Sequence, residues 1–548
     1  MTKEVKGFSF EQFAESGYLS GANASYLEML YDQYLDDTTS VPAKWQQYFV
    51  SISGVNATPD VSHSVIQAQF AQWARKNNAN TVQAPVSDKQ RYVDQLVRAY
   101  RRFGHYSAKT NPLQDPVKDA RLDISSYQLS DGDMDEPFEM LDDVSKQPKP
   151  LNQLISDLQR IYCGSVGFEY EAIDNDAERY WLQSYIEQDF YNYSFTREEK
   201  DRLLQKLIAA TGLENYLDSK YPGQKRFSGE GVEAFIPALT YLIDESTGFG
   251  LKEMKIGMAH RGRLNVLLNV MGQSAQELFQ EFDGTKDYGL TSGDVKYHLG
   301  FSSDIQTENG PMHLTLAFNP SHLEYINPVV MGSVRSRQDS SEVKVIEDYA
   351  LAVVIHGDGA YAGEGVVMET LGMSQTRAYY IGGSIHLILN NQVGFTTSDS
   401  RDSRSTHYCS DLSKMLDAPI FHVNADDPEA VLRVMKLALL YRMKFHKDVV
   451  IDLCGYRRHG HQEVDEPRAT QPLMYQKIKA SSCVRDLYID QLIQEGFIDA
   501  EEVAQRKEAL RDTLDAGGQL VSLMPGGLSE HYAMNWTPYL NTRWGQAT

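Results

Sequence analysis

The residues best suited to chemistry lie in two short segments. Gly357-Asp358-Gly359 follows one apolar run and Asn390-Asn391 closes another, with 30 residues between Gly359 and Asn390. Magnesium takes a few hard oxygen ligands in an octahedron that it shares with phosphate oxygens. A carboxylate from Asp358 and an amide oxygen from Asn391, set at neighbouring strand ends, therefore make an anchor for a magnesium-bound diphosphate. Gly359, with the later Gly363 and Gly365, lets the backbone approach phosphate closely. A lone Gly-Asp-Gly is a common turn, so the pairing with Asn-Asn carries the reading. His459 and His461 suggest a metal pair, but no third ligand stands at a recognisable spacing, and a transition-metal site is rejected.

Strands must carry these segments. From about residue 250, short β-rich runs alternate with helical ones, at 254–258, 313–318, 351–356, 385–389, 420–423 and 449–453. That alternation predicts a mainly parallel sheet with helices on both faces. Ligands of such sheets collect at the carboxyl ends of the strands. Asp427 ahead of Pro428, with Val431, Val434, Met435 and Ala438 on one face, announces a connecting helix.

Upstream, about 85 to 215 reads as mostly helical. Ser87 and Asp88 cap a stripe of Tyr92, Val93, Leu96, Val97, Tyr100 and Phe103 that stops at Gly104. A second stripe runs from Leu151 to Tyr162 and stops before Gly164, and Thr196 and Glu199 have capping-box spacing ahead of Leu203, Leu204 and Leu207. The acidic stretch 131–143 between them reads as a solvated loop. After about 480 the sequence is helical again and ends in an irregular aromatic tail around Trp536, Tyr539 and Trp544. The expected division is an N-terminal helical segment over 1–50, a linker over 51–86 and a helical domain over 87–220. An α/β domain over 221–480 and a helical extension with its tail over 481–548 complete it.

A chain of 548 residues with 42% hydrophobic content can bury more than one core. Its formal net charge of -23 argues against nucleic-acid and anionic-membrane partners. The four cysteines are widely spaced, which fits a reducing compartment better than a disulfide framework. The N-terminus has neither the apolar run of a signal peptide nor the Arg-rich character of a transit peptide, so a bacterial cytosolic location is expected.

Gly-Asp-Gly, 30 residues and Asn-Asn, with a strand ahead of each end, resembles the thiamine diphosphate fingerprint of transketolase-like enzymes. Neighbouring segments narrow the resemblance. Ala259-His260-Arg261-Gly262-Arg263-Leu264-Asn265, Lys296-Tyr297-His298, Phe318-Asn319-Pro320-Ser321-His322-Leu323-Glu324 and Tyr456-Arg457-Arg458-His459-Gly460-His461 look like motifs of the 2-oxoglutarate dehydrogenase first component. So do Tyr162-Cys163-Gly164-Ser165 and Leu19-Ser20-Gly21-Ala22-Asn23, and the resemblance covers essentially the whole chain.

The resemblance implies a transketolase-like α/β fold preceded by helical regions, with thiamine diphosphate and Mg2+ as cofactors. It implies Asp358, Asn391 and the carbonyl of Val393 as metal ligands, with Gly359 beside them. Arg261 is implied as a diphosphate contact, with a surface ion pair as its alternative. Ser321, His322 and Leu323 are implied to line the aminopyrimidine, with simple loop packing as theirs. His260 and His298 are implied as catalytic residues that donate to a 2-oxo diacid. The implied activity is decarboxylation of 2-oxoglutarate with succinyl transfer to a lipoyl-bearing acyltransferase, in a complex with dihydrolipoyl dehydrogenase and as a homodimer. The N-terminal helices are expected to dock the partner complex.

The sequence departs from the family's pattern in two ways. Gly359 and Glu364 stand where Ala and Gln are more usual. Beyond about Gly517 too few residues remain for the pyrimidine-binding domain that supplies the activating glutamate. A non-catalytic cofactor- or partner-binding fragment and a 2-oxoadipate enzyme therefore remain alternatives.

Overall fold

The computed structural model describes residues 24–52, 88–141, 147–287, 294–341, 343–394, 397 and 400–524. The expected linker and the aromatic tail beyond 524 lie outside these. The chain divides into two compact units, 1–88 and 89–548. In the first, helices Ala24–Asp36 and Ala43–Ile52 close on Leu30, Val41 and Phe49, with Tyr31 and Trp45 against the Phe49 ring.

The second unit is built on an eight-stranded sheet. A two-residue pair, β1 (Pro137–Phe138) and β2 (Lys149–Pro150), precedes it. The sheet contains β3 (Val166–Glu169), β4 (Glu253–Met258), β5 (Phe301–Thr307), β6 (Gly310–Leu316), β7 (Ala350–Gly357), β8 (Ser384–Asn390), β9 (Ile420–Asn424) and β10 (Val449–Cys454). Its order is β3-β9-β10-β8-β7-β4-β6-β5. The six inner strands are parallel, and β3 and β5 flank them antiparallel. This is the mainly parallel, helix-flanked sheet that the alternation predicts.

The inner strands read as unbroken apolar runs because both faces are covered. Leu351, Val353 and Ile355 of β7 share a core with helices Phe235–Gly248 and Pro428–Phe445. Ala350 and Ala352 point the other way, against helix Ile326–Asp339. Strand periodicity of two thus assigns each helix its face. The helical region joins the same core, since Val93, Leu96, Leu154 and Leu158 pack continuously with the sheet residues.

Two of the expected caps are present, while Ser87, expected to cap the helix over Asp88–Phe103, lies outside the described residues. Thr196 and Glu199 form a reciprocal capping box at the start of helix Arg197–Lys220, and Asp427 accepts from the Ala430 N–H. Helix Leu151–Tyr162 ends at Cys163, and Asp88–Phe103 ends where Gly104 begins. The acidic stretch is more ordered than a solvated loop. Asp133 is buried and pairs with Lys89 at 2.6 Å, and Phe138 enters the core. No helix among the described residues is long and apolar enough to cross a membrane.

Candidate active site

The chain leaves β4 toward β5 and β6 on one side, then returns to β7 and β8 on the other. The carboxyl ends of β4 and β7 therefore border a crevice at a topological switch point, where parallel sheets bind ligands. Five strand ends meet around it. His260 and Arg261 follow β4, Ser321 to Leu323 follow β6, Asp358 follows β7, Asn391 follows β8, and Arg457 to His461 follow β10.

A cavity of about 100 Å³ at this crevice is lined by Arg261, Leu323, Gly357, Asn391 and His459, among others. A larger one of about 780 Å³ is lined by Asp358, Asn390, Val393 and Arg404. The Asp358–Asn391 pair connects the two. Asp358 Oδ1 accepts from the Asn391 backbone N–H at 3.1 Å and from its side-chain Nδ2 at 3.0 Å. That arrangement turns Asn391 Oδ1 away, buried and without a partner. Burial pushes the Asp358 carboxyl above its ordinary range, against the lowering effect of the Asn391 hydrogen bonds. An ionised Asp358 is thus short of positive charge, and a hard divalent cation beside it answers both deficits.

Arg261 complements this with an anion site. Its guanidinium donates to the carbonyls of Ser228, Glu230 and Tyr456 at 3.3, 2.9 and 2.6 Å, while Nη1 is buried without a partner. Burial, then the neighbouring Arg457, lowers its pKa to about 10, so it remains a cation at neutral pH. These backbone bonds replace the surface ion pair that was its alternative. Gly359 makes a close approach here, since a Cβ on it would stand 3.1 Å from the Gly394 Cα.

The two histidines come together. His260 Nε2 lies 3.0 Å from His298 Nε2, and His298 Nδ1 lies 2.9 Å from Asp294 Oδ1. Ser321 Oγ reaches the same His298 nitrogen at 3.5 Å. Burial, followed by the charges of His298, Arg263 and His461, lowers the His260 pKa to about 4 and keeps its ring neutral at neutral pH. Of the implied ring-lining residues, Leu323 borders the smaller cavity, whereas Ser321 and His322 are exposed. His459 is held by Glu230 at 2.7 Å, while the His461 ring packs on Phe227.

The family described as Dehydrogenase E1 component matches residues 205–521, which include every one of these strand ends. The chain belongs to that family. The 2-oxoglutarate dehydrogenase N-terminus family matches residues 16–56. A 2-oxoglutarate dehydrogenase E1 component of Coxiella burnetii is 53% identical over 540 residues, covering 98% of this chain and 58% of that protein. Those of Cupriavidus necator and Azotobacter vinelandii are 44% and 45% identical, covering 58% and 57% of their own lengths. The chain thus spans less than three fifths of the curated relatives it matches.

Two residues that build this candidate site were not singled out by sequence. Arg263 is fully buried and donates to the carbonyls of Met258, Leu299 and Ala317, tying the ends of β4 and β6 to the segment that carries His298. Glu463 accepts from the backbone N–H groups of Arg226 and Ser228, both at 2.9 Å, and clasps the loop after β10 to the loop that holds Arg261. Backbone strain also gathers in the candidate site. Of six described non-glycine residues with positive φ, Phe227, Glu324 and Gln392 are in site loops.

Proposed function

We propose that this chain carries the diphosphate and magnesium end of a thiamine diphosphate site and acts in the decarboxylation of 2-oxoglutarate. The remaining acyl unit passes to the lipoyl group of a partner acyltransferase, in a complex that also holds dihydrolipoyl dehydrogenase. One observation carries the reading: the ionisable Asp358, the orphaned Asn391 Oδ1 and the orphaned Arg261 Nη1 are held together at adjoining strand ends.

Asp358 and Asn391, with the Val393 carbonyl, would hold Mg2+, and Arg261 would hold the diphosphate. Thiamine diphosphate, when bound, supplies the carbanion and electron sink for loss of carbon dioxide. The protein binds and orients. Neutral His260 and His298 share one proton between their facing Nε2 atoms, and that single proton is the donor His260 would turn toward a 2-oxo diacid. Leu323 forms part of the cavity wall, and Glu463 joins the loop after β10 to the loop that holds Arg261. A homodimer with bacterial cytosolic location, and docking of the partner complex by the N-terminal helices, complete the proposal.

The test is 2-oxoglutarate-dependent reduction of ferricyanide by the purified chain with thiamine diphosphate and Mg2+. Turnover that is lost in Asp358→Ala and weaker with 2-oxoadipate is expected. Turnover indifferent to Asp358→Ala would overturn the site assignment, and none at saturating cofactor would leave a cofactor-holding piece without the chemistry.

A further inference from the structure

A second polar system runs from the cavity wall across the sheet. Glu324 Oε2 meets His356 Nδ1 at 2.5 Å, and His356 Nε2 meets His386 Nδ1 at 3.0 Å. His386 Nε2 then faces Asp448 Oδ1 at 3.6 Å. All four residues are at most 4% exposed. The series crosses β7 and β8 diagonally, from the residue before β10 to the turn after β6. Its far end is fixed, because Asp448 also accepts from Ser384 N–H at 3.0 Å, Ser374 Oγ at 2.9 Å and Gln375 Nε2 at 3.1 Å.

Four buried titratable groups cost folding free energy, so a purely structural role would be served better by apolar side chains. The near end of the series shows what they hold. Glu324 has φ +69, a conformation that a side chain other than glycine adopts only under constraint. His356 is on the wall of the smaller cavity, as is Leu323, the residue before Glu324. Ser321, in the same turn, reaches His298.

We infer that Glu324 is a positioning residue: its bond to His356, braced by His386, sets where Ser321 and Leu323 stand against the organic part of the cofactor. This rests on the proposed thiamine diphosphate site. With the carboxylate accepting from His356 Nδ1–H, His356 Nε2 accepts from His386 Nδ1–H, and the neutral His386 ring carries no proton on Nε2 toward Asp448. The diphosphate end, built from Arg261, Asp358 and Asn391, does not depend on it.

Calorimetric titration of the full chain with thiamine diphosphate, and separately with inorganic diphosphate, both with Mg2+, tests this. Glu324→Ala is expected to weaken thiamine diphosphate about tenfold and to leave inorganic diphosphate within about twofold. Glu324→Gln, which keeps an acceptor, should restore most of the loss. His356→Asn, which keeps Glu324 but removes its ring donor, should reproduce the ligand-selective loss even where Glu324→Ala does not fold. Equal weakening of both ligands, or of neither, overturns the inference while the cofactor reading stands. A wild-type chain that fails to bind thiamine diphosphate overturns the cofactor reading and this inference with it.

Discussion

His260 and His298 face each other through their Nε2 atoms at 3.0 Å, a contact that needs one proton between two nitrogens. With His298 Nδ1 donating to Asp294, a neutral His298 accepts and His260 donates. Histidine NMR should find the His260 midpoint near 4, with no titration of that ring between pH 6 and 8. In His298→Ala the midpoint should move up, since loss of the covering ring relieves the burial that lowers it; a wild-type midpoint near 6.5 would contradict the buried, neutral ring.

Arg263 holds His298 in place from behind. In Arg263→Met the carbonyls of Met258, Leu299 and Ala317 lose their donor inside the protein. Denaturant unfolding should show a loss of about 3–5 kcal/mol. The His260 midpoint should also shift as the facing ring moves. Unchanged stability would show that the guanidinium is not the tie it appears by geometry.

Gly231 has φ +95, and a Cβ there would fall 2.2 Å from the Tyr456 carbonyl oxygen, which also accepts from Arg261. Gly231→Ala must therefore push apart the two loops that hold Arg261. We expect a stability loss of at least about 2 kcal/mol by chemical denaturation, together with weaker binding of magnesium diphosphate.

His422 is buried between Asp452 at 2.7 Å and Glu169 at 2.9 Å. Burial opposes its charge, but the two carboxylates prevail and raise its pKa from 6.5 to about 9. A raised folded pKa contributes stability that is whole below 6.5 and is lost as pH climbs through 9. The gap in unfolding free energy between wild type and His422→Gln should accordingly narrow over that range. A gap independent of pH would place the proton elsewhere.

The inner strands were legible because burial on both faces leaves them continuously apolar, as in Leu351 to Ile355. The edge strands were not. β3 has four residues, and β5 alternates buried Ser303 and Ile305 with more exposed neighbours, a pattern shared with many loops. That Asp358 and Asn391 meet could be read because each follows a strand whose end is visible in sequence. Arg263, Glu324 and Glu463 could not, since their partners are set by tertiary folding: Glu324 meets His356 only because β6 and β7 flank β4. Arg261 was visible as a residue, but its backbone acceptors were hidden in two loops far apart in the chain.

The central claim is that Asp358, Asn391 and Arg261 form one magnesium-diphosphate site. Calorimetric titration of the chain with thiamine diphosphate, with and without Mg2+, tests it most directly. The account predicts saturable binding that requires the metal and falls on the order of 100-fold in both Asp358→Ala and Asn391→Ala. Binding that ignores Mg2+, or survives both substitutions, would contradict it.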